Sequence, residues 1–345
     1  MPIRWTLTLC FVTTLVANDY AKAPEAIKAL EELQELTPFE LDSDWHLDRF
    51  FGHIKIISSK DSPRFPLLLE KMQEVGLNQE QFELSPTIAG DTLPESLWQR
   101  VPAWASEDPI VKQKIAGCTM AHYYLIKNTR DRYQEAFKNY RRLQSEPEAP
   151  LSDLEAAKNE VAKYSSVLIM EDNNAFGSLK NGAPTLEGMG KLFRETLKEL
   201  PADWDMFYFI CMHGDYDLPL AKEVPETSLL LKASYGVVTK CFAVKASSYD
   251  SLVALFEAHI FPELNSEVAY WTGTKLSTMV VTPTSISKVE IGPSDHMVAL
   301  LHKNLNVYIA KEPLSYRFAS TSLAGSPSPG SGIIFADHNW QPKPH

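Results

Sequence analysis

The sequence predicts an α/β layered domain. Helical and strand-like segments alternate along the chain, the pattern of helices layered on a sheet. Two short apolar runs, Val167-Leu168-Ile169-Met170 and Trp204-Asp205 with Met206 to Ile210, read as buried strands. The chain has 345 residues, 44% of them hydrophobic, enough for one large domain or two modest ones.

The elements follow in order. The stretch from Lys22 to Trp45 carries Ala, Leu and Glu at helical spacing and reads as an amphipathic lead-in, residues 22–50. His53 to Ser59 reads as a first strand. Ser62-Pro63 reads as a turn, and Phe65 to Val75 as a helix that Gly76 ends. Phe82 to Ile88 is a candidate second strand. Gly117-Cys118-Thr119-Met120-Ala121-His122 opens a well-buried helix.

Residues 129–164 are rich in Arg, Lys, Glu and Gln, and Glu146-Pro147-Glu148-Ala149-Pro150 divides them. They predict an exposed, inserted helical hairpin, with Ser152 and Glu155 as a capping box on its second arm. A helix over 185–200, a strand around Met206, a β-rich stretch from Val237 to Val244, a helix from Ser248 to Ala258 and a short strand from Met279 to Thr282 complete the alternation. The main domain spans 51–310. Residues 320–345 are a Ser-, Gly- and Pro-rich tail of the composition that stays mobile.

The formal net charge of -11 argues against a nucleic-acid binder, because a phosphate backbone needs concentrated Lys and Arg. The four cysteines, Cys10, Cys118, Cys211 and Cys241, match no zinc spacing and read as buried thiols. Trp5 to Ala17, preceded by Arg4, fits the apolar core of a signal peptide within residues 1–21. A buried N-terminal strand or helix is the alternative. Export to a secretory route follows from the first reading and a cytoplasmic location from the second. No later stretch has the length and apolarity of a transmembrane helix.

The chemistry concentrates where the first buried strand ends. Glu171-Asp172-Asn173-Asn174 follows Met170 directly. Ligands of open α/β sheets bind outside the carboxyl ends of the strands. Hard oxygen donors there suit a divalent cation, and the cation suits a diphosphate. A solvated acidic loop is the plainer reading of the same four residues.

Several islands, in order, resemble glycosyltransferase family 25, the lipopolysaccharide and procollagen galactosyltransferase group. Ile56-Ile57-Ser58-Ser59-Lys60-Asp61-Ser62-Pro63-Arg64 is similar to the family's opening strand and Arg-containing loop, with Ser58-Ser59 in place of the usual Asn-Leu. Gly117-Cys118 with His122 resembles its Gly-Cys-x-x-Ser-His helix start. Leu168-Ile169-Met170-Glu171-Asp172-Asn173 with Phe176 resembles its Leu-x-x-Glu-Asp-Asp metal motif, with Asn173 in an Asp place. Trp204-Asp205, Tyr235-Gly236 through Thr239 to Leu252, Glu267, Pro283 and Pro293-Ser294-Asp295 complete the series.

The resemblance implies a GT-A type fold with a mixed central sheet flanked by helices. It implies inverting transfer of a hexose, galactose or glucose, from a UDP-sugar to a hydroxyl of a glycan or glycoprotein acceptor. It implies Mn²⁺ or Mg²⁺ at Asp172 and Asn173, since a divalent cation stabilises the charge of a departing diphosphate. Ser58, Arg64, His122 and Glu171 would bind the donor. Asp295 and Glu267 are the candidate bases for the acceptor hydroxyl, with Asp215 a third from composition. Asn173 brings an amide oxygen without charge. The alternative is a silent family member that binds a nucleotide sugar, a glycan or a protein.

Overall fold

The computed structural model describes residues 47–180, 183–210, 221–225, 227–233, 239–265, 267–272 and 275–317. The apolar N-terminal run, the helix over 22–45, Cys10, Cys211, Asp215, Tyr235-Gly236 and the tail from 320 lie outside them.

A short helix α1 (Leu47–Phe50) leads into β1 (His53–Ile57). Helix α2 (Phe65–Gln73) has Pro66 in its first turn, and the chain leaves it through Gly76 at φ 76°. β2 (Glu83–Ser85) is shorter than the predicted 82–88, because Pro86 has no N–H for a ladder. After α3 (Glu95–Trp98) comes α4 (Pro109–Gln144), the longest element among the described residues.

Two expectations are corrected here. The helix begins at Pro109, upstream of Gly117. Asp108 accepts a hydrogen bond from the Ile110 N–H at 2.8 Å, and Pro109 takes the first helical position. The charged stretch after Thr129 is therefore the outer half of a helix that begins in the core, and α5 (Leu151–Tyr164) packs back against it as the expected helical hairpin. The capping box is not formed either. Pro150 occupies the N-cap, and the Ser152 hydroxyl donates to Asp153 Oδ1 at 3.3 Å.

The chain then forms β3 (Ser166–Glu171), β4 (Asn174–Phe176), β5 (Ser178–Lys180), β6 (Ala183–Thr185), α6 (Met189–Glu199) and β7 (Met206–Tyr208). Beyond these lie β8 (Ala221–Glu223), β9 (Leu230–Ala233), β10 (Cys241–Lys245) and α7 (Ala246–Ile260). The ribbon β11 (Glu267–Thr272) and β12 (Lys275–Val280) follows. Helix α8 (Ser294–Val298), β13 (Val307–Ala310) and β14 (Ser315–Arg317) close the described chain.

Among the described residues, eight strands form a mixed sheet in the order β2-β1-β3-β10-β7-β13-β9-β8. β2, β1 and β3 run parallel, β10 is antiparallel to both β3 and β7, and β13 is parallel to β7. The architecture is α/β with helices on both faces, compatible with a Rossmann-like fold.

The two faces explain the continuous apolar run of β3. Leu168 and Met170 pack with Ile54, Ile56, Leu68, Met72, Phe193 and Leu197 on the α2 and α6 side. Val167 and Ile169 pack with Met120, Ile126, Phe242, Val244, Leu252 and Phe256 on the α4 and α7 side. A strand buried on both faces needs apolar side chains at every position. No helix among the described residues is long and apolar enough to cross a membrane.

Strand order places the site. From β1 the chain passes through α2 to β2 on one side, then through α4 and α5 to β3 on the other. The order reverses at β1, and the crevice between the carboxyl ends of β1 and β3 is the topological switch point where open α/β sheets bind ligands.

Candidate functional site

The register of β1 and β3 pairs Ile57 with Glu171, so Ser58 and Asp172 leave the sheet side by side. Asp172 is buried, and its carboxylate is fully engaged. Oδ2 accepts the hydroxyls of Ser58 and Ser62, each at 2.9 Å, and Oδ1 forms an ion pair with Arg64 Nη2 at 2.6 Å. A carboxylate taken from water needs such charge-assisted partners. The Ser62 hydroxyl also accepts from the Arg64 N–H at 3.3 Å, which fixes the turn before α2.

Glu171 is held from the other side. Across the antiparallel ladder Cys241 pairs with Met170, which sets Lys240 opposite Glu171. The Glu171 N–H donates to the Lys240 carbonyl at 2.9 Å, and Lys240 Nζ forms a close ion pair with Glu171 Oε2. Cys118, on α4, lies 3.9 Å from Glu171 Oε1. Burial pushes the Cys118 thiol up to about 12, and the charges of Glu171 and Asp295 push the same way. A thiol so displaced stays protonated at neutral pH and is no nucleophile.

Gly117 explains how α4 reaches this point. A Cβ there would stand 2.4 Å from the Ile88 carbonyl oxygen and 3.2 Å from the Gly90 nitrogen. Only a glycine admits that approach of helix and loop. Thr119 then donates to the Gly292 carbonyl at 3.0 Å, tying α4 to the segment that carries Ser294 and Asp295. Ser294 and Thr239 share a hydrogen bond of 2.9 Å. Asp295 sits in the first turn of α8, with its Oδ1 accepting from the His296 N–H at 3.0 Å.

Of the sequence-predicted residues, Ser58, Arg64, Glu171 and Asp172 thus converge on the switch point, and Asp295 lies on the segment that Thr119 and Thr239 hold beside it. His122 lies in the core beside them. Its Nδ1 is 3.0 Å from the Cys118 carbonyl and its Nε2 3.4 Å from the Thr239 carbonyl, with the ring stacked on Phe242. Both nitrogens thus meet backbone oxygens, and the residue fastens α4 to the start of β10. Glu267 stands apart: it is exposed at the start of the β11–β12 ribbon, paired in register with Val280. Sequence reasoning missed Lys240 and Ser62 as site residues. Lys240 is visible only once β10 is known to run antiparallel beside β3.

The next two residues behave differently. Asn173 and Asn174 are buried, and Asn173 Oδ1 and both polar side-chain atoms of Asn174 find no hydrogen-bond partner among the described residues. Amides left so in a core cost free energy unless a ligand or further chain meets them.

The donor set does not fit a divalent cation as arranged. Hard cations gather uncompensated carboxylates. Here Asp172 is saturated by Arg64 and two hydroxyls, and Glu171 is held by Lys240. Among the described residues no three His, Cys, Asp or Glu side chains converge to hold a metal.

No protein-family model and no curated protein matches this chain.

Proposed function

We propose that the chain is a glycosyltransferase of GT-A type, related to family 25, that moves a hexose from a UDP-sugar to a hydroxyl of a glycan or protein-linked acceptor. The observation that carries the reading is the meeting of five separated segments at the sheet's switch point. They contribute Ser58 to Arg64, Gly117-Cys118, Glu171-Asp172, Thr239-Lys240 and Ser294-Asp295. These are the islands in which the resemblance was found, and a binding crevice is where such a fold would use them.

In this reading the donor diphosphate lies at the carboxyl ends of β1 and β3. Asp295 is the acceptor-side base, carried by the segment that Thr119 ties to α4 and Ser294 ties to Thr239. An inverting displacement needs a carboxylate that takes the hydroxyl proton as the new bond forms. Glu267, exposed on its ribbon, is the weaker candidate for that work.

A second reading is favoured by the saturation of Asp172: a silent member that binds the nucleotide sugar, a glycan or a protein without turnover. UDP release over a panel of UDP-sugars separates the two. Release from one donor, lost in Asp295→Asn with UDP binding retained, supports transfer. UDP binding with no release from any donor supports the silent reading, and gain of release in Asn173→Asp with Mn²⁺ would mark a weakened enzyme.

A further inference from the structure

We infer that the protein's own cations, Arg64 and Lys240, take the place of a divalent metal, so that the site binds a nucleoside diphosphate without one. The inference rests on the proposed nucleotide site and deepens it. Its basis is the pairing of each strand-end carboxylate with a cation from a neighbouring segment: Asp172 with Arg64 from the turn before α2, Glu171 with Lys240 from the start of β10.

These pairs are not surface ornaments. The side chains of Asp172, Arg64 and Glu171 are 3, 13 and 14% exposed, and that of Lys240 25%. Little solvent or salt screens them. A metal ion entering here would have to take the carboxylates from both cations and leave two positive side chains poorly compensated in a confined space. Breaking a buried pair in this way is strongly unfavourable.

A diphosphate meets the opposite situation. Guanidinium and ammonium groups are charge-assisted donors that can share their N–H groups between a carboxylate and phosphate oxygens. Each carboxylate then orients a cation rather than recruiting one. The negative charge that develops on a departing diphosphate finds fixed positive charge already in position, the condition for electrostatic stabilisation.

The test is calorimetry of UDP binding to the full chain, with EDTA and then with Mn²⁺. The expected result is the same affinity in both, within about twofold. The Lys240→Met variant, checked for folding by its thermal transition, is expected to lose at least about tenfold in affinity in EDTA and to regain part of it with Mn²⁺, because Glu171 is now uncompensated. The wild-type comparison needs no variant, so a misfolded Lys240→Met does not blunt it. Wild-type binding that appears only with Mn²⁺ overturns the inference and leaves the nucleotide reading standing. No UDP binding in either condition overturns the nucleotide reading and the inference with it.

Discussion

Arg64 and Asp172 join the two loops that flank the switch point, with Nη2 and Oδ1 2.6 Å apart and Asp172 buried. The pair ties the turn before α2 to the end of β3, so the fold and the candidate site depend on the same contact.

Removing the cation should therefore cost stability as well as binding. Arg64→Met leaves a buried carboxylate with only hydroxyl partners, and the expected loss is about 3–5 kcal/mol in denaturant unfolding. Arg64→Met combined with Asp172→Asn should recover much of it, since the uncompensated charge is gone. Equal losses in the single and double variants would mean that the pair is not coupled.

Gly117→Ala tests the close approach of α4 to the loop at Ile88. The added methyl meets backbone, which cannot swing aside. A loss of about 1–3 kcal/mol is expected. Unchanged stability would show that the helix and loop can separate without cost.

Acid should destabilise the fold through two histidines. His302 is buried, with Nε2 3.0 Å from Tyr208 Oη, and burial holds it down at about 3 against an ordinary 6.5. His53 is pushed down to about 4, by burial first and Lys55 next. Both stay neutral in the folded protein while the unfolded chain binds protons below about 6.5, so their contribution is complete above that pH and fades as pH falls toward about 3. Thermal midpoints measured from about pH 7 to about pH 4 should fall, and His302→Gln should fall less steeply. An equal slope in the variant would remove His302 from the explanation.

The sequence showed most where burial is complete on both sides. β3 carries an unbroken apolar run, Val167 to Met170, because both faces of the sheet are covered, and that run is visible without any partner strand. The start of α4 was less legible. Lys112, Gln113 and Lys114 dilute the apolar pattern ahead of Gly117, and the informative residues were Asp108 and Pro109, which cap rather than pack. Ser152 and Glu155 had the right spacing for a cap, but Pro150 begins the helix before Ser152 can act.

The candidate site divides in the same way. Glu171 and Asp172 were legible because they end a recognisable strand. Their partners were not. Lys240 faces Glu171 only because β10 enters between β3 and β7 in the opposite direction, a choice made by the whole sheet rather than by local pattern. Charge at a strand end says little about function until the groups that answer it are known. Here each strand-end carboxylate meets a cation from a neighbouring segment, Asp172 with Arg64 and Glu171 with Lys240.

The central claim is tested most directly by UDP release from the full chain over a panel of UDP-sugars, with and without Mn²⁺. The account predicts release from one donor that persists in EDTA and disappears in Asp295→Asn. No release from any donor, together with no UDP binding by calorimetry, would contradict it.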